Sequence, residues 1–220
     1  MSSRPDIHLP RVGDCLHLLH PVRCAVCFRV GAGFCRSCRA TVLPAPGRAC
    51  PSALQSVTSA GLHHGSLREA VLALKYARRV DLAGEFAEMA WIAMGASATG
   101  CAHLVCPVPL HWSRRISRGY NQAGLLAESI GRLLGAPLIS DLVRMRATPR
   151  QVGLSAVARR DNVRGAFAVR NTTRLQGARV LLIDDVWTTG ATLSECAEAL
   201  LRSGAAEVRA VTVSCAPEPR

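Results

Sequence analysis

The thirteen residues 180–192, VLLIDDVWTTGAT, constrain this chain more than any other stretch. Four consecutive apolar residues, Val180 to Ile183, suit a strand buried on both faces, and Asp184 and Asp185 follow at its carboxyl end. Ligands of open α/β sheets bind at that edge. Small and hydroxyl residues come next, and a helix is expected from near Leu193. A turn of this composition directs backbone N–H groups at one point, where the helix N-terminus adds partial positive charge. Thr188, Thr189 and Thr192 contribute hydroxyl donors, Gly190 permits close approach, and Ala191 is a further small residue of the turn. A phosphate fits such a spot. The two carboxylates cannot hold a phosphate but accept hydrogen bonds from hydroxyls, so a sugar phosphate of the ribose 5-phosphate kind, with its diol toward the acids, satisfies the whole pattern. The plainer alternative is an acidic strand end followed by an ordinary helix cap.

At 220 residues the chain has room for one sizeable core and a small appendage. The segment TVLPAPGRACPSA carries three prolines and a glycine, which marks a linker and divides residues 1–50 from a main domain over 55–220. Beyond it, the apolar spacing predicts two helices between about 67 and 92 with a break near Arg79. HLVCPVPL reads as a buried strand, QAGLLAESIGRLLGA as an amphipathic helix stopped by Gly135 and Pro137, and AFAV as a short strand. The signature strand, its helix and VRAVTVSCA complete the series. Strand and helix in alternation argue for a parallel sheet flanked by helices.

Lys and Arg exceed Asp and Glu by 12, and Lys75 is the only lysine, so anionic partners are expected to meet guanidinium groups. Pro107 and Pro109 stiffen the turn after the HLVC strand and hold the residues beyond Leu110 at the same sheet edge as the phosphate turn. A diphosphate suits that place: Arg114, Arg115 and Arg118 supply planar donors, and Asn121 and Gln122 supply amides. A second segment, residues 148–164, contains Gln151, Arg159 and Arg160 with few apolar anchors and reads as a cover over the site. For both segments a solvated arginine-rich surface is the competing reading.

Cys24 and Cys27, seven intervening residues, then Cys35 and Cys38 form two CxxC pairs. Four thiolates so spaced suit a closed, structural zinc site, with a redox disulfide pair as the rival. Cys15, Cys101, Cys106, Cys196 and Cys215 read as small buried hydrophobes, and His63 and His64 as surface residues, with metal binding as their competing reading.

The signature closely resembles that of type I phosphoribosyltransferases. Together with CPVPLHWSRRISRGYNQAGLLAESI, TPRQVGLSAVARRDNVRGAFAV and ALKYARR, it makes the chain similar, from Cys24 to Cys215, to the ComF/GntX family of competence-associated phosphoribosyltransferase-like proteins. The resemblance implies a type I phosphoribosyltransferase-like fold with a small N-terminal zinc-finger module. It implies phosphoribosyl diphosphate as ligand, with magnesium bound mainly through the substrate's oxygens, and a flexible cover over residues 148–164. It also implies a substrate-side place for Lys75, whose other reading is a helix residue that carries its charge out to solvent.

Two functions are expected. One is displacement of diphosphate by an acceptor, with Asp184 and Asp185 orienting the ribose. The other is a part in DNA uptake, with single-stranded DNA and competence proteins as partners; aromatics are 4% of residues, so DNA contacts would run mainly from arginine to phosphate. No run of about 18 uninterrupted apolar residues is present, residues 1–15 lack the apolar core of a signal peptide, and a cytoplasmic location is expected.

Overall fold

Val180–Ile183 form the buried centre of a parallel sheet in a computed structural model, which describes residues 21–98, 100, 102–110, 116, 118–146 and 163–217. The elements in order are α1 (Arg36–Arg39), β1 (Val57–Ser59), α2 (Gly65–Tyr76), α3 (Leu82–Met94), β2 (Leu104–Pro107), α4 (Gln122–Leu134), β3 (Leu142–Arg144), β4 (Phe167–Val169), β5 (Arg179–Trp187), α5 (Ala191–Arg202) and β6 (Glu207–Cys215).

The main sheet runs β1-β6-β5-β2, every neighbouring pair parallel. Alternate residues of β5 feed two cores. Leu181 and Ile183 pack with Phe86, Leu126, Val211 and Val213 under α2, α3 and α4, whereas Val180 and Leu182 pack with Cys196, Leu200 and Val208 on the α5 side. Burial of Leu182 contributes about 1.5–3 kcal/mol, and truncating it to alanine would cost about 2–5 kcal/mol. Outside β2, Leu138 makes a further parallel bridge to Val105.

The helices end where their local chemistry requires. Asn121 caps α4 by accepting from the Ala123 N–H at 3.2 Å, and Gly135 closes it in the left-handed conformation. The break expected near Arg79 lies there: Arg78 has a positive φ of 55°, and the chain restarts as α3 after Asp81.

The structure adds two details to the expected strands. The signature strand does not stop before its acids. The long β6 keeps pairing with β5 through Asp184↔Thr212 to Trp187↔Cys215, while pairing with β2 ends at Pro107↔Ile183. The acids are therefore held by a strand on one side only and open toward β2 on the other. The strand expected at AFAV stands outside the main sheet: β4 pairs antiparallel with β3 as a two-stranded ribbon, fastened to α5 by a Gly165 N–H donated to Glu195 Oε2 at 2.7 Å.

Candidate ligand-binding site and cysteine cluster

A cavity of about 270 Å³ opens at the carboxyl ends of β5 and β2. Lys75, Pro109, Arg118, Asn121, Gln122, Asp184, Asp185, Thr188, Gly190 and Thr192, each expected there from sequence, line it together. Pro107 instead ends β2, Ala191 opens α5, and Thr189 Oγ1 accepts from the Ala191 N–H at 3.4 Å within the turn. Arg114, Arg115, Gln151, Arg159 and Arg160 lie outside the described residues.

The acids differ. Asp185 is buried and pairs with Lys75, whose Nζ lies 3.0 Å from Oδ1. Asp184 accepts from the Asp185 backbone N–H at 2.8 Å. Burial and the neighbouring Asp185 charge push its carboxyl up to about 7, against the pull of that N–H and of Lys75 and Arg144. Near neutrality Asp184 thus stands close to gaining or losing its proton.

The turn is shaped by glycine. Gly190 has φ +81°, and a Cβ there would stand 2.9 Å from Pro51 Cγ and 3.1 Å from Trp187 Nε1. The backbone can enter α5 at this tightness only without a side chain.

On the β2 flank, the Asn121 side chain also donates to Val108 O at 3.1 Å and so fixes the proline turn against α4. Arg118 lies over the Tyr76 ring, 5.0 Å from its centre, and donates to Gln122 Oε1 at 3.0 Å. This leaves the buried Nε2 of Gln122 without an acceptor among the described residues, on the wall of the cavity. A ligand oxygen would satisfy it, since a buried amide donor left unpaired costs about 1–3 kcal/mol.

Three residues of the site had no sequence motif to announce them. Arg144 of β3 lines the cavity over the Phe167 ring, and its charge favours ionised Asp184. His63, expected at the surface, is half-buried in the cavity wall, because its backbone N–H bonds to Cys215 O at 2.7 Å and its Nδ1 lies 2.8 Å from Ser214 Oγ. Its neighbour His64 is exposed, as expected. Arg48, in the proline-rich segment, donates from Nη1 to Thr188 O at 2.5 Å and to Ala216 O at 3.3 Å, with its guanidinium 4.6 Å from the centre of the Trp187 ring. Only the tertiary fold brings residues 63 and 214, or 48 and 188, together.

The sulfur atoms of Cys24, Cys27, Cys35 and Cys38 lie within 4.8 Å of one another, and Cys27 and Cys35 are 3.6 Å apart. Tetrahedral Zn–S bonds of about 2.3 Å place sulfurs about 3.8 Å apart, so the four thiols fit one such ion. Burial alone would raise the Cys24 thiol, but N–H groups of Cys27, Cys35 and Val26 outweigh it and lower it to about 6, while burial pushes Cys38 up to about 12. A bound cation would remove that second obstacle by stabilising the thiolate directly. Glu85 of α3 accepts from the Gly33 and Phe34 N–H groups at 2.8 and 2.7 Å, and Phe34 meets Phe86 edge to face. The cluster is thereby docked on the main core. Cys106, Cys196 and Cys215 are buried as expected, whereas Cys15 and Cys101 fall outside the described residues.

The chain is 36% identical over 208 residues to the DNA utilization protein YhgH of Salmonella typhi, spanning 88% of this chain and 90% of that one. The chain belongs to the ComF/GntX family of type I phosphoribosyltransferase-like proteins. A family model described as "Phosphoribosyl transferase domain" matches residues 124–220 of this ComF-family chain. Competence protein F of Haemophilus influenzae is 41% identical over 107 residues, 48% of this chain and 47% of that protein. Among solved structures, the glutamine phosphoribosylpyrophosphate amidotransferase of B. subtilis superposes with a TM-score of 0.41 at 19% identity, over 60% of this chain and 27% of that longer one. Among the described residues of the ComF-family chain, no helix is long and apolar enough to cross a membrane.

Proposed function

We propose that the protein binds phosphoribosyl diphosphate together with magnesium and transfers the phosphoribosyl group to an acceptor. One observation carries this reading: the acid pair Asp184–Asp185 and the turn Thr188–Gly190–Thr192 open into the same cavity as Arg118 and Gln122 on the opposite flank. The turn suits the 5-phosphate, the acids suit the ribose hydroxyls, and the β2 flank suits the diphosphate. Magnesium, when bound on the diphosphate oxygens, would neutralise the leaving charge. Lys75 already engages Asp185, which leaves the acid pair better suited to orienting hydroxyls than to holding the ion.

In the reaction, a lone pair of the acceptor forms the new bond to C1 as the C1–oxygen bond breaks, and the electrons of that bond leave with the diphosphate. The acceptor's proton passes to solvent or to a nearby base. The chain supplies position and charge rather than a covalent intermediate. Titration calorimetry with phosphoribosyl diphosphate and magnesium tests the site. Binding that weakens at least about tenfold in Asp184→Asn/Asp185→Asn is expected, each lost charge-assisted hydrogen bond being worth about 1.5–3 kcal/mol. No binding, or binding unaffected by the double change, sinks the assignment.

A second reading draws on the relatives' names, Competence protein F and DNA utilization protein YhgH. In it the protein handles single-stranded DNA during uptake. The cysteine module supports it with a particular arrangement: Phe28 is 69% exposed, its carbonyl accepts from Arg23 Nη1 at 3.4 Å, and exposed Arg29 follows it in the chain, a ring for base stacking beside cations for phosphates. DNA affinity should fall steeply with salt and drop in Phe28→Ala/Arg29→Ala; a flat salt dependence argues against it.

A further inference from the structure

Beyond the phosphate turn, the acid pair and the β2 flank, the cavity has a further side at the end of β6 that none of the phosphate, ribose and diphosphate contacts proposed above uses. The strand order sets β2 on one side of β5 and β6 on the other. Arg118, Gln122 and the proline turn stand on the β2 flank, and His63 stands at the end of β6 beside Lys75 and Asp185. A nucleophile displacing a group from carbon enters opposite the bond that breaks. A diphosphate leaving toward β2 therefore requires an acceptor arriving from the β6 side.

The tautomer of His63 is set by its neighbour. Ser214 is wholly buried, and His63 Nδ1, at 2.8 Å, is the single partner of its hydroxyl among the described residues. Were the proton on Nδ1, the serine O–H would be buried with no acceptor, at a cost of about 1–3 kcal/mol. The serine therefore donates to Nδ1, and the neutral ring carries its proton on Nε2. Burial, with the charges of Lys75 and Arg68, keeps the ring neutral by lowering its pKa to about 4 against the opposing pull of Asp185. Nε2 has no protein partner among the described residues and retains access to the cavity.

We infer that His63 is a specificity-determining residue for the acceptor: its Nε2–H, fixed by Ser214, donates to a carbonyl oxygen or unprotonated ring nitrogen beside the attacking atom. The acceptor class this selects is a neutral heteroaromatic base. An alkyl amine, protonated near neutrality, would bring a second cation against Lys75 and offer the imidazole nothing to accept its proton. The assignment rests on the phosphoribosyl reading above and extends it to the other reactant.

The test uses the full-length protein, magnesium, ribose 5-phosphate and the four common nucleoside 5′-monophosphates, with affinities measured by calorimetry. At least one nucleotide should bind about tenfold more tightly than ribose 5-phosphate, the worth of one well-made hydrogen bond plus base burial. In His63→Ala that advantage should vanish while ribose 5-phosphate affinity stays within about twofold, and His63→Gln, whose amide N–H reaches a similar place, should restore part of it. Ser214→Ala, which frees the tautomer, should reduce the advantage without abolishing it. If no nucleotide outbinds ribose 5-phosphate, or the advantage survives in His63→Ala, the role of His63 is refuted while the ribose site stands. If ribose 5-phosphate itself does not bind, both readings fall.

Discussion

Lys75 Nζ lies 3.0 Å from Asp185 Oδ1, so the only lysine of the chain pins helix α2 to the strand that bears the acid pair. Both side chains are largely shielded, at 17% and 12% exposure, and the bond fixes which acid is neutralised by protein and which is left for a ligand. Lys75→Met would leave Asp185 buried without its cation. The expected loss is about 3 kcal/mol of unfolding free energy, read as a shift in the urea midpoint at unchanged slope. A midpoint within experimental error of the parent would show the pair to be structurally idle.

Asp184 makes stability depend on pH in an uncommon direction. Its folded pKa is about 7, above the 3.8 of an ordinary carboxyl, so the folded state holds the proton more tightly than the unfolded chain. The benefit is complete below about pH 4 and is lost as pH rises through 7. Asp184→Asn, which keeps the shape and never ionises, should melt higher than the parent at pH 8. The gain is about 1–3 kcal/mol, or several degrees, and should shrink toward pH 5. An equal difference at both pH values would contradict it.

For the cysteine cluster, the outcome concerns Glu85 rather than a thiol. Its carboxylate accepts two backbone N–H groups, from Gly33 and Phe34, and Gly33 is constrained in turn, since a Cβ there would sit 2.8 Å from Asp81 Oδ2. Glu85→Leu should cost about 2–4 kcal/mol, because two buried donors lose charge-assisted bonds. It should also speed the release of zinc to a chelator, monitored with a colorimetric indicator. Unchanged release would mean that the cluster holds its shape without α3.

Gly190→Ala joins backbone strain to a clash with Pro51 and Trp187. Affinity for phosphoribosyl diphosphate should fall by at least about tenfold, while stability falls by about 1–2 kcal/mol. An undiminished affinity would mean that the anion sits elsewhere.

The signature was readable because its information is local: apolar run, acids, hydroxyls and glycine appear in the order in which the chain meets them. The same holds for the break at Arg78 and the stop at Gly135, where backbone conformation is written into one or two residues. The extra length of β5 was not readable, because pairing beyond Ile183 is dictated by β6, more than twenty residues downstream. His63 escaped for a similar reason. A histidine beside another histidine in a polar loop carries no pattern, and its burial depends on a serine 151 positions away. Arg144 and Arg48 were hidden among many arginines, and only the fold separates the one that lines the cavity and the one that braces its turn from those facing water.

Arg48 bonds to carbonyls at the ends of both β5 and β6, and Pro51 from the same segment crowds Gly190. The stretch that looks like a tether is therefore a strut. A shortened chain beginning at residue 55 would retain every letter of VLLIDDVWTTGAT yet lose the brace behind it. Recombination that swapped the cysteine-bearing front between relatives would thus preserve the turn only where the arginine was inherited along with it.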